Sequence, residues 1–340
     1  MINKNKIKQS GRRLCRVSWF VCLIAGGLHG QNADIEDSKI TELVEKTKIR
    51  GFEDITFYCR MPATKKDSRT NEDSSIRGVL ALCTWNTMAK DVRQNVLSKG
   101  KFRKIVNFAD KNNLALVSWT NFKGYNVFVD TEDLSKAKRK RYDKEYGLRV
   151  KEWKNGFKRL CRKVGIPETN ILIYGISGGG QMAHRLVLRE PDMFSAIHIH
   201  INSSYDLPTR EGRKVLWLVT TGEVEHGYDS AVNFYRTSLG LGYHMIFKAG
   251  ENLGHSNSPQ IQALSLEFFK YCLKFGSFAE ADIAKDLSAF ELMKYPAFIG
   301  DLRNQYVFET SRAEKYIDKN DMVSLPTRDI ARAWGAIVEE

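Results

Sequence analysis

The sequence predicts an α/β fold with a mostly parallel central sheet and helices on both of its faces. Short apolar runs alternate along the chain with amphipathic stretches of helical length. The runs at Arg77–Trp85, Leu114–Trp119 and Asn170–Ile176 are almost entirely apolar, which is typical of strands buried on both faces. Because such strands alternate with helices, they predict βαβ units.

The other elements follow the same alternation. A polar stretch at Ile35–Lys48 carries Ile40, Leu43 and Val44 at a spacing that predicts a short helix. A long basic and aromatic insertion occupies residues 120–144, and a less regular tail occupies residues 276–340. Further strands are predicted at Ile55–Met61, Phe194–Ile201, Lys214–Thr221, Tyr243–Ala249 and Gln305–Glu309. Further helices are predicted at Asp91–Lys111, Tyr146–Val164, Gly179–Arg189, Ser230–Leu239, Pro259–Phe275 and after Thr327.

The first 30 residues have the pattern of a secretory signal peptide. Six basic and no acidic side chains precede the apolar run Val17–Leu28. This run is shorter than the roughly 20 residues that span a bilayer. We therefore expect cleavage, a secreted or periplasmic location and no stable membrane association afterwards. An uncleaved N-terminal anchor is the alternative.

Removing that segment changes the charge of the chain. The full sequence has a net charge of +13, but residues 31–340 hold 47 basic and 40 acidic side chains, or +7. A mild excess of this size does not indicate a nucleic-acid partner. Four cysteines remain, and they form no CxxC pair, so we expect buried thiols rather than a metal or redox site.

The most informative motif is Gly175-Ile176-Ser177-Gly178-Gly179, which fits G-x-S-x-G. It follows a predicted buried strand and opens a predicted helix, which is the context of a nucleophile on a sharp strand-to-helix turn. Such a turn presents the serine hydroxyl above the sheet. It also places the Gly178 N–H at a helix N-terminus, where an oxyanion is stabilised.

A nucleophilic serine needs a general base within hydrogen-bond reach. We predict His255, which lies in a glycine-flanked loop after the last strand of the predicted sheet. His198 and His200 alternate within a strand, which indicates packed or rim positions. His198, His200 and His226 have no metal-ligand spacing, so we predict no metal and no cofactor.

The acid that orients the histidine is expected in the loop after the strand Lys214–Thr221. Three carboxylates compete there. Glu225 lies in mid-loop and is preferred, Asp229 is the second choice and also suits a helix N-cap, and Glu223 follows the strand directly.

The segments GISGGGQMAH, VTTGEVEHGYD and GENLGHS, in the order serine, acid, histidine, resemble the three catalytic loops of the α/β-hydrolase superfamily. Within it the chain resembles secreted bacterial esterases grouped with polyhydroxybutyrate depolymerase and dienelactone hydrolase-like proteins. The resemblance spans residues 76–275. It implies an α/β-hydrolase domain at 31–275. The tail at 276–340 is irregular and too short for an independent domain, so we expect a small C-terminal extension packed on the main domain.

The resemblance also implies a second oxyanion donor in the backbone of Thr84 or Trp85. Many relatives have His-Gly at this point, and Glu225 replaces the commoner aspartate. Trp119, Asn202 and Tyr205 lie at or just beyond carboxyl ends of strands, where open α/β sheets bind ligands, and are predicted to contact substrate.

A carboxylester hydrolase acting on a small-molecule or polymeric ester is therefore the first hypothesis. A serine peptidase of the prolyl-oligopeptidase type uses the same chemistry and is the second. A catalytically inactive α/β-hydrolase scaffold used for binding is the third.

Overall fold

A computed structural model of the chain describes residues 40–48, 53–62, 76–84, 92–93, 97, 102–120, 135–276 and 288–339. The predicted signal segment, most of the 120–144 insertion and Trp85 lie outside the described residues. Within the described part, none of the helices is long and apolar enough to cross a membrane.

Eight strands of the described residues form the main sheet. They are β1 (Ile40–Glu45), β2 (Ile55–Arg60), β3 (Gly78–Cys83), β4 (Leu114–Trp119), β5 (Ile171–Ile176), β6 (Phe194–His200), β7 (Leu216–Gly222) and β8 (His244–Gly250). Their spatial order is β1-β2-β4-β3-β5-β6-β7-β8. β2 is antiparallel to β1 and β4, and the strands from β3 to β8 are parallel. The predicted mostly parallel sheet is confirmed.

Among the described residues, the α-helices that accompany this sheet are α1 (Arg103–Lys111), α2 (Lys136–Val164), α3 (Gly178–Arg189), α4 (Tyr228–Gly240) and α5 (Pro259–Phe275). The chain order runs in one direction from β3 to β4 and in the other from β5 to β6. Because parallel crossovers are right-handed, this reversal places α1 and α3 on opposite faces of the sheet. The reversal also makes the carboxyl ends of β3 and β5 a switch point, which is where such sheets bind ligands.

The predicted helix at Ile35–Lys48 is wrong, because residues 40–45 form strand β1. This strand pairs antiparallel with β2, from Ile40 opposite Arg60 to Glu45 opposite Ile55. The spacing of Ile40, Leu43 and Val44 also fits a helix. The edge of β2 that faces away from β4 provides hydrogen-bond partners that a helix at residues 40–45 would leave unused.

Two predicted helix boundaries also differ from those observed. The regular helix α1 begins at Arg103 instead of Asp91, and the residues between them are only partly described. The helix predicted from Tyr146 begins ten residues earlier, at Lys136, so the end of the predicted insertion is helical.

The C-terminal region forms a second, four-stranded sheet of order β11-β9-β10-β12. Its strands are β9 (Phe298–Asp301), β10 (Tyr306–Glu309), β11 (Met322–Leu325) and β12 (Ala336–Ile337), and its helices are α6 (Ala289–Lys294), α7 (Thr310–Tyr316) and α8 (Arg328–Trp334). Trp334 is fully buried, and its indole N–H donates to the Phe247 carbonyl of β8 at 2.7 Å. The Gln260 amide of α5 donates to the Trp334 carbonyl at 3.1 Å, so this tryptophan joins the two sheets.

A buried lysine lies at the same junction. Lys248 of β8 is 2% exposed, donates to the Gln305 side chain and lies 4.4 Å from the Trp334 ring centroid. Burial lowers its pKa from 10.5 to about 8, although Glu223 and Glu251 oppose this shift. The pKa of Lys248 is lower in the folded protein than in the unfolded chain. Burial of the charged amine therefore destabilises the folded protein by its full amount below about pH 8. This destabilisation disappears as the pH rises toward 10.5.

Lys248→Met is therefore expected to be more stable than the wild type near neutral pH, with a gap that narrows as pH rises. The penalty it relieves is about 3 kcal/mol, since one pKa unit corresponds to about 1.4 kcal/mol, and the lost contacts to Gln305 and Trp334 offset part of it. Urea unfolding of both proteins at about pH 7 and about pH 9.5 measures the change. A stability difference that does not depend on pH would contradict this account.

Candidate active site

Ser177 occupies a strained turn between β5 and α3. Its φ and ψ are 54° and −130°, a conformation that residues with a Cβ rarely adopt. The Ser177 N–H donates to the His200 carbonyl at 2.9 Å, which continues the β5–β6 ladder up to the turn. Residues held in this way cluster at functional sites, because the surrounding structure must maintain the strain.

The glycines around Ser177 allow neighbouring backbone to approach closely. A Cβ at Gly179 would lie 2.4 Å from the Cys83 carbonyl oxygen and 2.7 Å from the Thr84 nitrogen. One at Gly175 would lie 2.7 Å from Ala183 Cβ. The start of α3 therefore lies directly against the end of β3, where the resemblance places the second oxyanion donor.

Three side chains from three loops form one chain of hydrogen bonds. Ser177 Oγ lies 2.9 Å from His255 Nε2, and His255 Nδ1 lies 3.0 Å from Glu225 Oε1. Ser177 is partly buried, the His255 side chain is 44% exposed, and that of Glu225 is 1% exposed. A hydroxyl, an imidazole and a buried carboxylate in this order can transfer a proton from the serine and stabilise the resulting imidazolium.

The acid loop, residues 222–229, carries Glu225, and the histidine loop, residues 250–258, carries His255. The two loops are bonded to each other through their backbones. Glu223 N–H donates to Gly250 O at 3.0 Å, and Val224 N–H donates to Leu253 O at 3.2 Å. The Glu223 carboxylate accepts from Asn252 N–H at 3.1 Å. The histidine loop then ends at Ser258, whose hydroxyl caps α5 by accepting from Ile261 N–H at 3.1 Å. These hydrogen bonds hold Glu225 and His255 at a fixed position relative to each other.

Gly222→Ala is expected to disrupt these hydrogen bonds. An added Cβ would lie 1.9 Å from the Leu253 carbonyl oxygen, so the histidine loop must move away. We expect a loss of about 2–4 kcal/mol in the free energy of unfolding and a matching loss of any activity that depends on His255. Urea unfolding provides the measurement.

Gly240→Ala is the matched control, because a Cβ on this residue at the end of α4 meets nothing within 4 Å. It is expected to leave stability unchanged or to raise it by up to about 1 kcal/mol, since alanine is the better helix former. Equal destabilisation by the two variants would contradict the proposed clash at Gly222.

The other two carboxylates of the acid loop lie elsewhere. The Asp229 side chain is exposed in the first turn of α4. It is not the predicted N-cap, because the helix begins at Tyr228 and Gly227 precedes it. Glu223 is exposed and is bonded to the Asn252 backbone. Among the three competing carboxylates, the structure places Glu225 next to His255.

His198 and His200 lie inside the protein. His198 Nε2 and His200 Nδ1 both lie 2.8 Å from the Thr220 hydroxyl, and His198 Nδ1 lies 2.9 Å from the Ser265 hydroxyl. Burial lowers the pKa of His200 to about 4 and that of His198 as well. Both rings are therefore neutral at physiological pH and serve to join β6, β7 and α5.

The predicted substrate-contacting residues have different surroundings. Trp119 is 2% exposed and packs in the interior, with its ring centroid 5.0 Å from that of Trp153. Asn202 is buried between the start of α3 and the acid loop, where its carbonyl oxygen would lie 2.7 Å from a Cβ at Gly227. Tyr205 is half-buried and stacks on Phe234 at 4.7 Å.

Sequence reasoning gave His226 no role at this site. His226 Nδ1 lies 2.6 Å from Glu225 Oε1, the same oxygen that faces His255. The only signal in the sequence is the adjacency of Glu225 and His226, and the direction of each side chain depends on the turn from Gly222 to Glu225. Glu225, His226 and His255 also offer ligand atoms within 4.8 Å of one another.

The fold is identified by three features: the strand order of the main sheet, the antiparallel strand β2 and the turn at Ser177 after β5. The chain has the α/β-hydrolase fold. The solved structures to which the chain is similar include a ferulic acid esterase. It is 16% identical with a TM-score of 0.46, and 70% of this chain and 97% of that chain are covered. A Pyrobaculum calidifontis esterase is 10% identical with a TM-score of 0.46, and 71% of this chain and 86% of that chain are covered.

A Pyrococcus horikoshii acylaminoacyl peptidase is 15% identical with a TM-score of 0.47, and 72% of this chain and 44% of that chain are covered. Similarity this weak indicates nothing about the reaction or the substrate of the present chain. No protein-family model matches the sequence, and neither does any curated protein.

Proposed function

We propose that the protein is a serine hydrolase that cleaves carboxylic esters through an acyl-enzyme. The observation that carries this proposal is the chain of hydrogen bonds from Ser177 Oγ through His255 to the buried Glu225, at 2.9 and 3.0 Å. The strained backbone of Ser177 supports it, because such strain persists where a function requires the geometry.

In the proposed reaction, Ser177 Oγ attacks the ester carbonyl while its proton passes to His255 Nε2. Glu225 stabilises the imidazolium by accepting a hydrogen bond from His255 Nδ1–H. The imidazolium then protonates the departing alcohol, and an acyl group remains on Ser177. Water, deprotonated by His255, releases the acid and restores the serine.

The oxyanion of each tetrahedral intermediate is proposed to bind backbone N–H groups. Gly178 is the first residue of α3, where N–H groups have no acceptor within the helix and the helix dipole favours negative charge. The second donor is proposed to be Thr84, whose nitrogen lies beside Gly179, or Trp85. Asn202 and Tyr205 are proposed to border the substrate.

The proposed substrate is a small-molecule or polymeric ester. The protein is proposed to act in a secreted or periplasmic location, after removal of residues 1–30. The resemblance to secreted bacterial esterases supports an ester over an amide. N-terminal sequencing of the exported protein tests the cleavage, and an intact N-terminus after export would overturn it.

A panel of substrates tests the reaction. We expect turnover of short p-nitrophenyl esters and none of aminoacyl p-nitroanilides, because p-nitrophenolate is a better leaving group than the amine of an anilide. Anilide turnover would favour a serine peptidase instead. Absence of both activities, together with absence of fluorophosphonate labelling, would favour the binding scaffold and overturn the proposal.

A further inference from the structure

The carboxylate of Glu225 has a second histidine neighbour that the proposed reaction does not use. Glu225 Oε1 lies 2.6 Å from His226 Nδ1 and 3.0 Å from His255 Nδ1. The two imidazole rings are nearly parallel, with centroids 6.0 Å apart and an interplanar angle of 27°. One buried carboxylate oxygen therefore lies between two imidazole nitrogens, which is a set of donors that a cation can share.

We propose that Glu225, His226 and His255 form a binding site for a borderline-soft divalent cation, of which Zn²⁺ is the best fit. The binding itself stands on the ligand geometry, whereas its inhibitory effect rests on the proposed hydrolase function. Two imidazole nitrogens and one carboxylate oxygen form the ligand set of many open zinc sites, in which water completes the tetrahedron. Mg²⁺ and Ca²⁺ prefer oxygen ligands and are expected to bind poorly here.

The exposure of the three residues suits this role. The Glu225 side chain is 1% exposed, so its position is fixed by the surrounding loops. The side chains of His226 and His255 are 68% and 44% exposed, so both rings can adjust and a cation can enter from solvent. The three ligand atoms lie within 4.8 Å of one another. In the proposed site the two exposed rings rotate so that both nitrogens and the carboxylate oxygen form the bonds of roughly 2.0–2.2 Å that zinc requires.

Zinc at this site changes the tautomer of the proposed general base. A neutral imidazole that binds a metal through the Nδ1 lone pair carries its proton on Nε2. In the proposed reaction His255 needs a free lone pair on Nε2 to accept the Ser177 proton. Zinc on Nδ1 therefore makes His255 a donor toward Ser177 Oγ and removes the general base, while it also occupies the Glu225 carboxylate.

Direct binding tests the site without any reliance on activity. Zn²⁺ is titrated by calorimetry into untagged Ser177→Ala protein, which keeps all three ligands. We expect one bound ion, and we expect His226→Gln in the same background to weaken binding by about tenfold or more, since even residues that only orient a metal ligand contribute about 10–100-fold. His244→Gln, which removes a half-buried histidine on β8, is the matched control and should bind as the parent does.

Inhibition is measured on proteins that retain Ser177. The rate of ester hydrolysis with Zn²⁺ is compared with the rate of the same protein in chelator, and Mg²⁺ serves as the control cation. We expect Zn²⁺ to inhibit the wild type and His244→Gln alike and to lose about tenfold in potency against His226→Gln. Equal Zn²⁺ affinity in His226→Gln and its parent, or no binding at all, would overturn the proposal. Zinc binding by a protein that hydrolyses no ester would retain the site and reject the hydrolase.

Discussion

Ser177→Ala is expected to abolish ester hydrolysis and fluorophosphonate labelling together. Ser177 supplies the atom that would carry the acyl group, so its loss leaves only the oxyanion donors and substrate binding. Removal of the nucleophile of a known serine hydrolase, subtilisin, lowers kcat by roughly 10⁶-fold, with a residual rate above that of water. We expect a loss of at least about 10⁴-fold. Steady-state hydrolysis of a p-nitrophenyl ester and gel detection of the labelled protein measure the two effects.

The variant should fold as the wild type does, because alanine at φ 54° has the same backbone restriction as serine. Ser256→Ala is the matched control. Ser256 is exposed in the histidine loop directly after His255, and its backbone N–H donates to Gly254 O at 2.8 Å, a bond that alanine keeps. It should retain labelling and activity. Equal labelling of Ser177→Ala and the wild type would reject Ser177 as the nucleophile.

The sequence correctly predicted strands and helices whose signals lie within the segment itself. β4 spans Leu114–Trp119 and α5 spans Pro259–Phe275, as predicted. The first is a continuous buried run, and the second begins with a serine cap and a proline, which are signals contained within a few residues. β1 was mispredicted because its six residues become a strand only through pairing with β2. The spacing of apolar residues within one segment does not show that the segment pairs with another one.

The sequence identifies candidate residues for the active site but does not determine how their side chains are arranged. G-x-S-x-G after a buried strand indicates where a serine turn lies, and glycines indicate where loops approach, as Gly222 does against Leu253. The choice among three carboxylates depends on a turn whose Glu225 N–H donates to Gly222 O, and no propensity encodes the direction in which that side chain points. For the same reason, the contact of His226 with Glu225 was visible only in three dimensions.

Glu225→Gln is expected to lower kcat by about 10²–10⁴-fold with a small change in KM. The amide keeps the size of the carboxylate but loses its charge, so the imidazolium that forms on His255 is no longer stabilised. An amide N–H turned toward His255 Nδ1 would also favour the tautomer with its proton on Nε2, which cannot accept the Ser177 proton. Because Glu225 Oε1 faces two histidines at 2.6 and 3.0 Å, an amide nitrogen in its place would remove the acceptor from both contacts.

Asp229→Asn and Glu223→Gln are the matched controls, since each removes one charge from the same loop. Asp229 is exposed on α4, and Glu223 holds the Asn252 N–H through an oxygen that glutamine also offers. Both are expected to stay within about threefold of the wild-type kcat, because neither carboxylate touches His255 and exposed charges are screened. A large loss in Asp229→Asn with Glu225→Gln unaffected would make Asp229 the acid. The acid loop would then have to rearrange when substrate binds, because Glu225 is the one of these three carboxylates that lies against His255 in the described structure.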